Sequence, residues 1–255
     1  MNGPFGRLFD GLRVTVFGGL SLFWLAPVIP MIAIAPEFAQ HVAEIDLGMF
    51  ASKEAFNAQA NSDQRWAFAY FKIAGLLIAA LAASRFIGGA RKRWWDPRTL
   101  AWKQFLIALG LNIVATVVGM PLEDLSAGTE SAFLLYGYQI LTVPLTIYLL
   151  GSLFGDRTMT LKQAYTKGWI AVILVAIYWL VAWGPAQLLH QYNHTWAMGQ
   201  NDALVWALMV FDSLLVGAMA CWMGAAFAAG YWLGRPPKQL DEPTDKLGQP
   251  QMHAT

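Results

Sequence analysis

Residues 203–233 read ALVWALMVFDSLLVGAMACWMGAAFAAGYWL, and this stretch decides the fold class. It contains one acid, Asp212, and no Lys or Arg. About 20 consecutive apolar residues are enough for a helix to cross the hydrocarbon core of a bilayer, so the run spans with turns to spare. Lipid is the solvent of this segment.

Working outward, five more segments meet the same criterion, at roughly 14–36, 66–88, 104–121, 132–154 and 168–189. The expected fold is therefore all-α, a polytopic integral membrane bundle of about six transmembrane helices over residues 1–235. Residues 236–255, with Pro236-Pro237 and Asp241-Glu242-Pro243, form a tail expected to be disordered. Composition agrees: 57% hydrophobic residues, 13% charged and a mean hydropathy of +0.44 describe a membrane protein. Arg7 and Arg13 ahead of the first apolar run suggest a signal peptide, but the run is too long for one and Pro36 would hinder cleavage, so it reads as an anchor. No extramembrane segment is long enough to build a second core.

Charge sets the threading. Of the 17 Lys and Arg residues, 14 fall on one side of these spans, leaving Lys53, Arg65 and Lys72 opposite. Short basic loops resist translocation, so the rich side, with both termini, is expected to be cytoplasmic. Trp94, Trp95, Trp102, Trp169 and Trp232 mark that interface, and Trp66, Trp183 and Trp196 mark the other. Topology and contact with anionic lipid headgroups account for the basic face; Arg91, Lys92 and Arg93, after Gly88-Gly89, are the headgroup candidates. No nucleic-acid partner is expected.

Arg98-Thr99-Leu100-Ala101-Trp102-Lys103-Gln104 and Arg157-Thr158-Met159-Thr160-Leu161-Lys162-Gln163 share the frame Arg-Thr-x-x-x-Lys-Gln. Each opens a short amphipathic stretch before a span, with Arg7 to Arg13 a looser third copy, so the chain reads as three parallel units of lead-in helix and two spans. The one long loop, residues 37–65, places Phe38, Val42, Ile45, Met49 and Phe56 at helical spacing against Glu44, Asp46, Lys53 and Glu54. That pattern predicts an amphipathic helix on the outer leaflet or capping the bundle.

Asp212 is the acid placed deepest, where insertion costs about 2.5–3.5 kcal/mol, so it calls for a partner or a task. No Lys, Arg or His is expected at its depth on another span. Its expected partners are Ser213, Asn112 on the third span, and Tyr138 and Gln139 on the fourth, as a proton or cation site or as a hydrogen-bonded carboxyl joining helices. His190 and His194 share a helix face only if the fifth span stays helical, and Gln-Tyr-Asn-His-Thr after His190 reads as a loop. His41, with Glu37 and Glu44, lies on the same side, and zinc accepts such ligands. No two spans offer histidines at matched depth for a haem, and the sole cysteine, Cys221, excludes a cysteine-based metal site. No cofactor motif is present.

Catalytic patterns are missing: there is no H-E-x-x-H, no G-x-S-x-G and no phosphate-cradling loop with its Lys. Pro27, Pro30, Pro144 and Pro185 permit bends. Small residues form stripes at Gly75-Ala79-Ala83, Ala115-Gly119 and Gly217-Cys221-Gly224-Ala228, which are packing surfaces for the bundle, a membrane partner or a second copy.

With its lead-ins at Arg98 to Gln104 and Arg157 to Gln163, each followed by an apolar run, the chain resembles uncharacterised bacterial inner-membrane proteins of six spans, a group similar to the membrane domain of glycerophosphodiester phosphodiesterases. The resemblance covers most of the chain, implies a bacterial inner-membrane setting and carries over no catalytic residue. The expected function is non-enzymatic, an accessory, scaffold or envelope-homeostasis role, with a small transporter or channel using Asp212 as the alternative. A lipid-modifying enzyme drawing on His41, Glu37, Glu44, His190 and His194 is the third possibility.

Overall fold

The computed structural model describes residues 4–90, 93–125 and 129–235, so Arg91, Lys92 and the tail expected at 236–255 lie outside the described residues. Within them the chain forms ten α-helices and no strand. Six are long and apolar enough to cross a membrane: Gly6–Leu25, Asp63–Gly89, Trp102–Pro121, Leu134–Leu153, Trp169–Ala197 and Asp202–Gly234. The chain is a multi-pass helical membrane protein.

The first of these is a composite rod of α1 (Pro4–Arg13), a π-helical turn (Val14–Gly18) and α2 (Gly19–Leu25). It ends at Ala26, at φ −152° and ψ 63°, because Pro27 drives the residue before it out of the helical region. α3 (Val28–Asp46) begins two residues later, so the run expected as one span over 14–36 is broken in its middle. After a 3₁₀ turn and the short α4 (Lys53–Gln59) come α5 (Asp63–Arg85), α6 (Trp102–Leu125), α7 (Thr129–Leu153), the short α8 (Leu161–Lys167), α9 (Trp169–Ala197) and α10 (Asp202–Gly234).

α10 is the axis. In its most apolar stretch 61% of residues are buried, against 11% for α6. Without a hydrophobic effect between helices in lipid, close approach of small residues supplies the packing. The α10 stripe does this: a Cβ at Gly217 would stand 2.5 Å from Ile34 on α3, and one at Gly224 would strike Ala80 and Ala83 on α5. Ser84 reinforces the second contact by donating to the Gly224 carbonyl at 3.1 Å. α5 in turn meets α3 at Gly75, where a Cβ would lie 2.6 Å from the Ile32 carbonyl oxygen. α9 folds back on α10 and completes a core of α3, α5, α9 and α10, with α1 and α2 against one half of it.

Among the described residues, the α6–α7 hairpin joins that core near one end, where Ala108, Ile147 and Leu150 share a cluster with Ala171, Val175 and Tyr231. Beyond that end Ile113, Val117, Ile140 and Leu141 are exposed, as lipid-facing residues are.

The three lead-ins take different forms. Residues 98–104 pass from a 3₁₀ turn (Pro97–Thr99) straight into α6, α8 is a separate helix with a Thr160–Gln163 capping box, and α1 is continuous with the turn that follows it. Arg85 secures this end, donating to the carbonyls of Trp94, Asp96 and Leu153 and to the Thr99 hydroxyl oxygen. Asp156 does the same for the next loop, accepting from Tyr231, Arg235 and Thr158.

Candidate functional site

The residues that matter lie at the opposite end, where α3, α5, α9 and α10 meet. Asp212, the tenth residue into α10 after Asp202, is fully buried. With α10 about 50 Å long at 1.5 Å per residue and the hydrocarbon core about 30 Å thick, Asp212 sits nearer one membrane face than the midplane.

Three imidazole nitrogens converge on its Oδ2: His190 Nδ1 at 2.7 Å, His41 Nε2 at 3.1 Å and His194 Nε2 at 3.5 Å. His190 and His194 reach it together because α9 continues to Ala197, which puts i and i+4 on one face. The loop expected after His190 is helix. Asn193, between them, donates to the Leu208 carbonyl at 2.7 Å and fastens this turn of α9 to α10.

His41 comes from α3. The pattern expected over 37–65 holds in part: Met49 is buried and Asp46, Lys53 and Glu54 are exposed as expected. Glu37, Gln40, His41 and Glu44 are buried, whereas Phe38 of the supposed inner face is exposed. The helix presents its polar side to the bundle. His41 Nδ1 lies 3.0 Å from Glu44 Oε2, and its Nε2 is also 3.3 Å from Glu37 Oε1. The carboxylates are held in turn: Gln40 and Arg65 donate to Glu44 Oε1 at 2.7 and 3.0 Å, and Lys72 donates to Glu37 Oε1 at 2.9 Å.

Three carboxylates against the Lys72 and Arg65 cations leave this chamber one negative charge when its histidines are neutral. Asp212 Oδ1, Glu37 Oε2 and His194 Nε2 are buried with no hydrogen-bond partner.

A cleft of about 280 Å³ opens beside the chamber, lined by Arg65, Lys72, Gln187, His190, Gln191 and His194 among others. Away from the cleft the way is filled by Ala33, Ala79 and Ala220, packed together. The arrangement can hold a cation among ligands in three overlapping trios: His41, Glu44 and His194; His190, His194 and Asp212; Glu37, His41 and Asp212.

The structure thus brings Asp212 together with all three histidine candidates and separates it from its other expected partners. Ser213 donates to Met209 O in its own helix, Asn112 to Ala108 O and Leu145 O, and Tyr138 to Ala115 O, while Gln139 is exposed. These last three belong to the outlying hairpin, too far aside to serve α10. Arg93 is exposed. Sequence reasoning missed Gln40, Arg65 and Lys72. The available signal was the spacing Glu37, His41, Glu44, a polar stripe at i, i+4 and i+7 following an apolar run.

No protein-family profile, curated protein or solved structure matches the chain.

Proposed function

We propose that the protein is a small cation transporter of a bacterial inner membrane, with the chamber as the site its cation occupies. The observation that carries this reading is the convergence of three imidazole nitrogens on one buried carboxylate oxygen beside a cleft. Buried ion networks add little or no stability over apolar packing of the same volume, so an accessory or scaffold role leaves six buried or nearly buried histidines and acids without a purpose. Ionisable groups within membrane segments mark ion pathways instead.

In this reading the cation enters through the cleft from the outer side and rests in the chamber. The seam of small residues below it, Gly217 and Ala220 on α10 against Ala33 and Ile34 on α3, is the barrier. Parting of α3 from α10, with the break at Ala26-Pro27 as hinge, opens the route to the cytoplasmic side. The concentration of Lys and Arg at the far end supports that orientation.

Reconstitution tests it. Purified protein in liposomes should raise the uptake of at least one of H⁺, Na⁺, Mn²⁺ and Zn²⁺, each followed with an entrapped indicator. Asp212→Asn should return uptake to the empty-liposome rate while eluting and melting as a folded protein. Uptake unchanged in Asp212→Asn, or none of the four cations moved by folded wild type, overturns the transport reading.

A further inference from the structure

We infer that the chamber is a binding site for a divalent transition metal of the zinc class, ligated by His41 Nε2, His190 Nδ1, His194 Nε2 and the Asp212 carboxylate. This rests on the reading of the chamber as a cation site and names the cation. Donor chemistry comes first. Alkali and alkaline-earth ions seek oxygen ligands, whereas imidazole suits zinc, copper, iron and nickel. Three imidazoles and one carboxylate are the wrong donors for sodium or calcium and the right ones for zinc.

Spacing agrees. Ligand atoms placed tetrahedrally at about 2.0–2.1 Å from zinc stand roughly 3.3 Å apart. The three nitrogens lie 2.7, 3.1 and 3.5 Å from Asp212 Oδ2, and the donors gather as two trios that share Asp212, one with His190 and His194 and the other with Glu37 and His41, each within 4.8 Å, so an ion held by all four ligands requires His41 and His190 to close on it from the two trios. The groups come from three helices and meet within one cluster, with His41 and His194 ring centroids 5.2 Å apart and those of His190 and His194 5.0 Å apart.

The surroundings have the form that supports a metal. Ligating histidines generally donate their other ring N–H to a carboxylate, which fixes ring orientation and raises basicity. His41 Nδ1 faces Glu44 in this way, and Gln40 and Arg65 fix Glu44. Lys72 fixes Glu37, whose carboxylate lies against His41 Nε2 outside the four ligands.

Unmade bonds make the independent point. Buried polar atoms are nearly always paired. Asp212 Oδ1, Glu37 Oε2 and His194 Nε2 are not, and these three belong to this cluster, whereas Gln40 Oε1, Asn193 Oδ1 and the distant Arg235 Nε are also unpaired. A metal coordinated by Asp212 and His194 takes up Asp212 Oδ1 and His194 Nε2. The cleft past His190 and His194 supplies the route in.

The test is metal binding by the full chain, purified in detergent with its affinity tag removed, stripped with chelator and offered Zn²⁺ alone. Elemental analysis should find one tightly held zinc per chain, and Co²⁺ in its place should give the intense visible absorption of four-coordinate nitrogen and oxygen ligation. His190→Ala and His194→Ala should each lose stoichiometric zinc. Glu44→Gln, which touches no metal, should retain it with affinity weakened about 10- to 100-fold. Wild type that holds no zinc, gives only six-coordinate cobalt spectra, or keeps its zinc in the His190→Ala, His194→Ala pair overturns the inference. Should those variants fail to fold, the wild-type stoichiometry and cobalt spectrum still decide. Zinc held without transport leaves this inference standing and removes the transport reading; flux of H⁺ or Na⁺ by a protein that binds no zinc does the reverse.

Discussion

A lone carboxylate in an apolar run is expensive to bury, and that expense is why Asp212 can be found from sequence alone. Its partners cannot, because helix pairing in a membrane leaves no local trace: His41 is 171 residues away in the chain, on an element whose polar face read as the solvent side. Lys72 was equally hidden, one cation in the apolar α5 that reads as an outer-side charge until Glu37 is seen 2.9 Å from it. Arg85 repeats the lesson at the other end of the bundle. It is buried and donates to four oxygens, none of them a carboxylate, so its function is to satisfy three carbonyls from two chain segments at once. Arg85→Met keeps much of the volume and abandons those acceptors. We expect it to cost about 1.5–3 kcal/mol, since bonds from charged donors are the stronger ones and the Leu153 carbonyl stays buried, seen as a clear drop in melting temperature in detergent. Arg85→Lys should recover only part, because an ammonium cannot fork toward acceptors spread around a planar guanidinium. Equal melting of Arg85→Met and wild type would mean that water satisfies those carbonyls.

At the scale of elements, hydropathy located the spans well because bilayer thickness imposes a length that composition must meet. It misjudged the two helices that build the site. The apolar pattern over 37–65 predicts Met49 inward and Asp46, Lys53 and Glu54 outward, as found, but it fails around the polar site, where Glu37, His41 and Glu44 point in while Phe38 points out. α9 was cut short at a polar stretch, Gln191 to Thr195, that stays helical to Ala197 because Asn193 is bonded to α10 and the 191–196 turns lie where a polar surface is tolerated. The small-residue stripe on α10 was legible, but its counterparts were not. Gly224 now has a named neighbour, the α5 backbone at Ala80, which has no flexible atoms to move aside. Gly224→Val should therefore separate α5 from α10 at an overpacking cost of about 1–3 kcal/mol or more. A control is available in Gly110 on α6, where an added Cβ meets nothing within 4 Å. Gly110→Ala should match or exceed wild type in melting, helix propensity favouring Ala by about 1 kcal/mol, while Gly224→Val melts lower or aggregates. Similar melting of the two would show that α5 and α10 are not in tight register.

For the molecule as a whole, the two ends carry different chemistry, and the segregation is what joins sequence to function. One end holds most of the Lys and Arg and is locked by Arg85 and the Asp156–Arg235 pair. The other holds the chamber, the cleft and the exposed rings of Trp66 and Trp196. If positive charge marks the cytoplasmic side, the cleft faces the cell exterior, and the proposed transporter takes its cation from outside. Orientation therefore decides the direction of any transport. Cysteine labelling measures it directly, because Cys221 is fully buried and Cys221→Ala leaves a clean background. Gln200, in the exposed turn between α9 and α10 on the chamber side, and Arg157, exposed at the opposite end, are suitable reporters. On intact bacterial spheroplasts a membrane-impermeant maleimide should label Gln200→Cys and spare Arg157→Cys until the membrane is opened. The reverse pattern would place the cleft in the cytoplasm, where free transition metal is scarce, and would recast the chamber as an exporter's loading site.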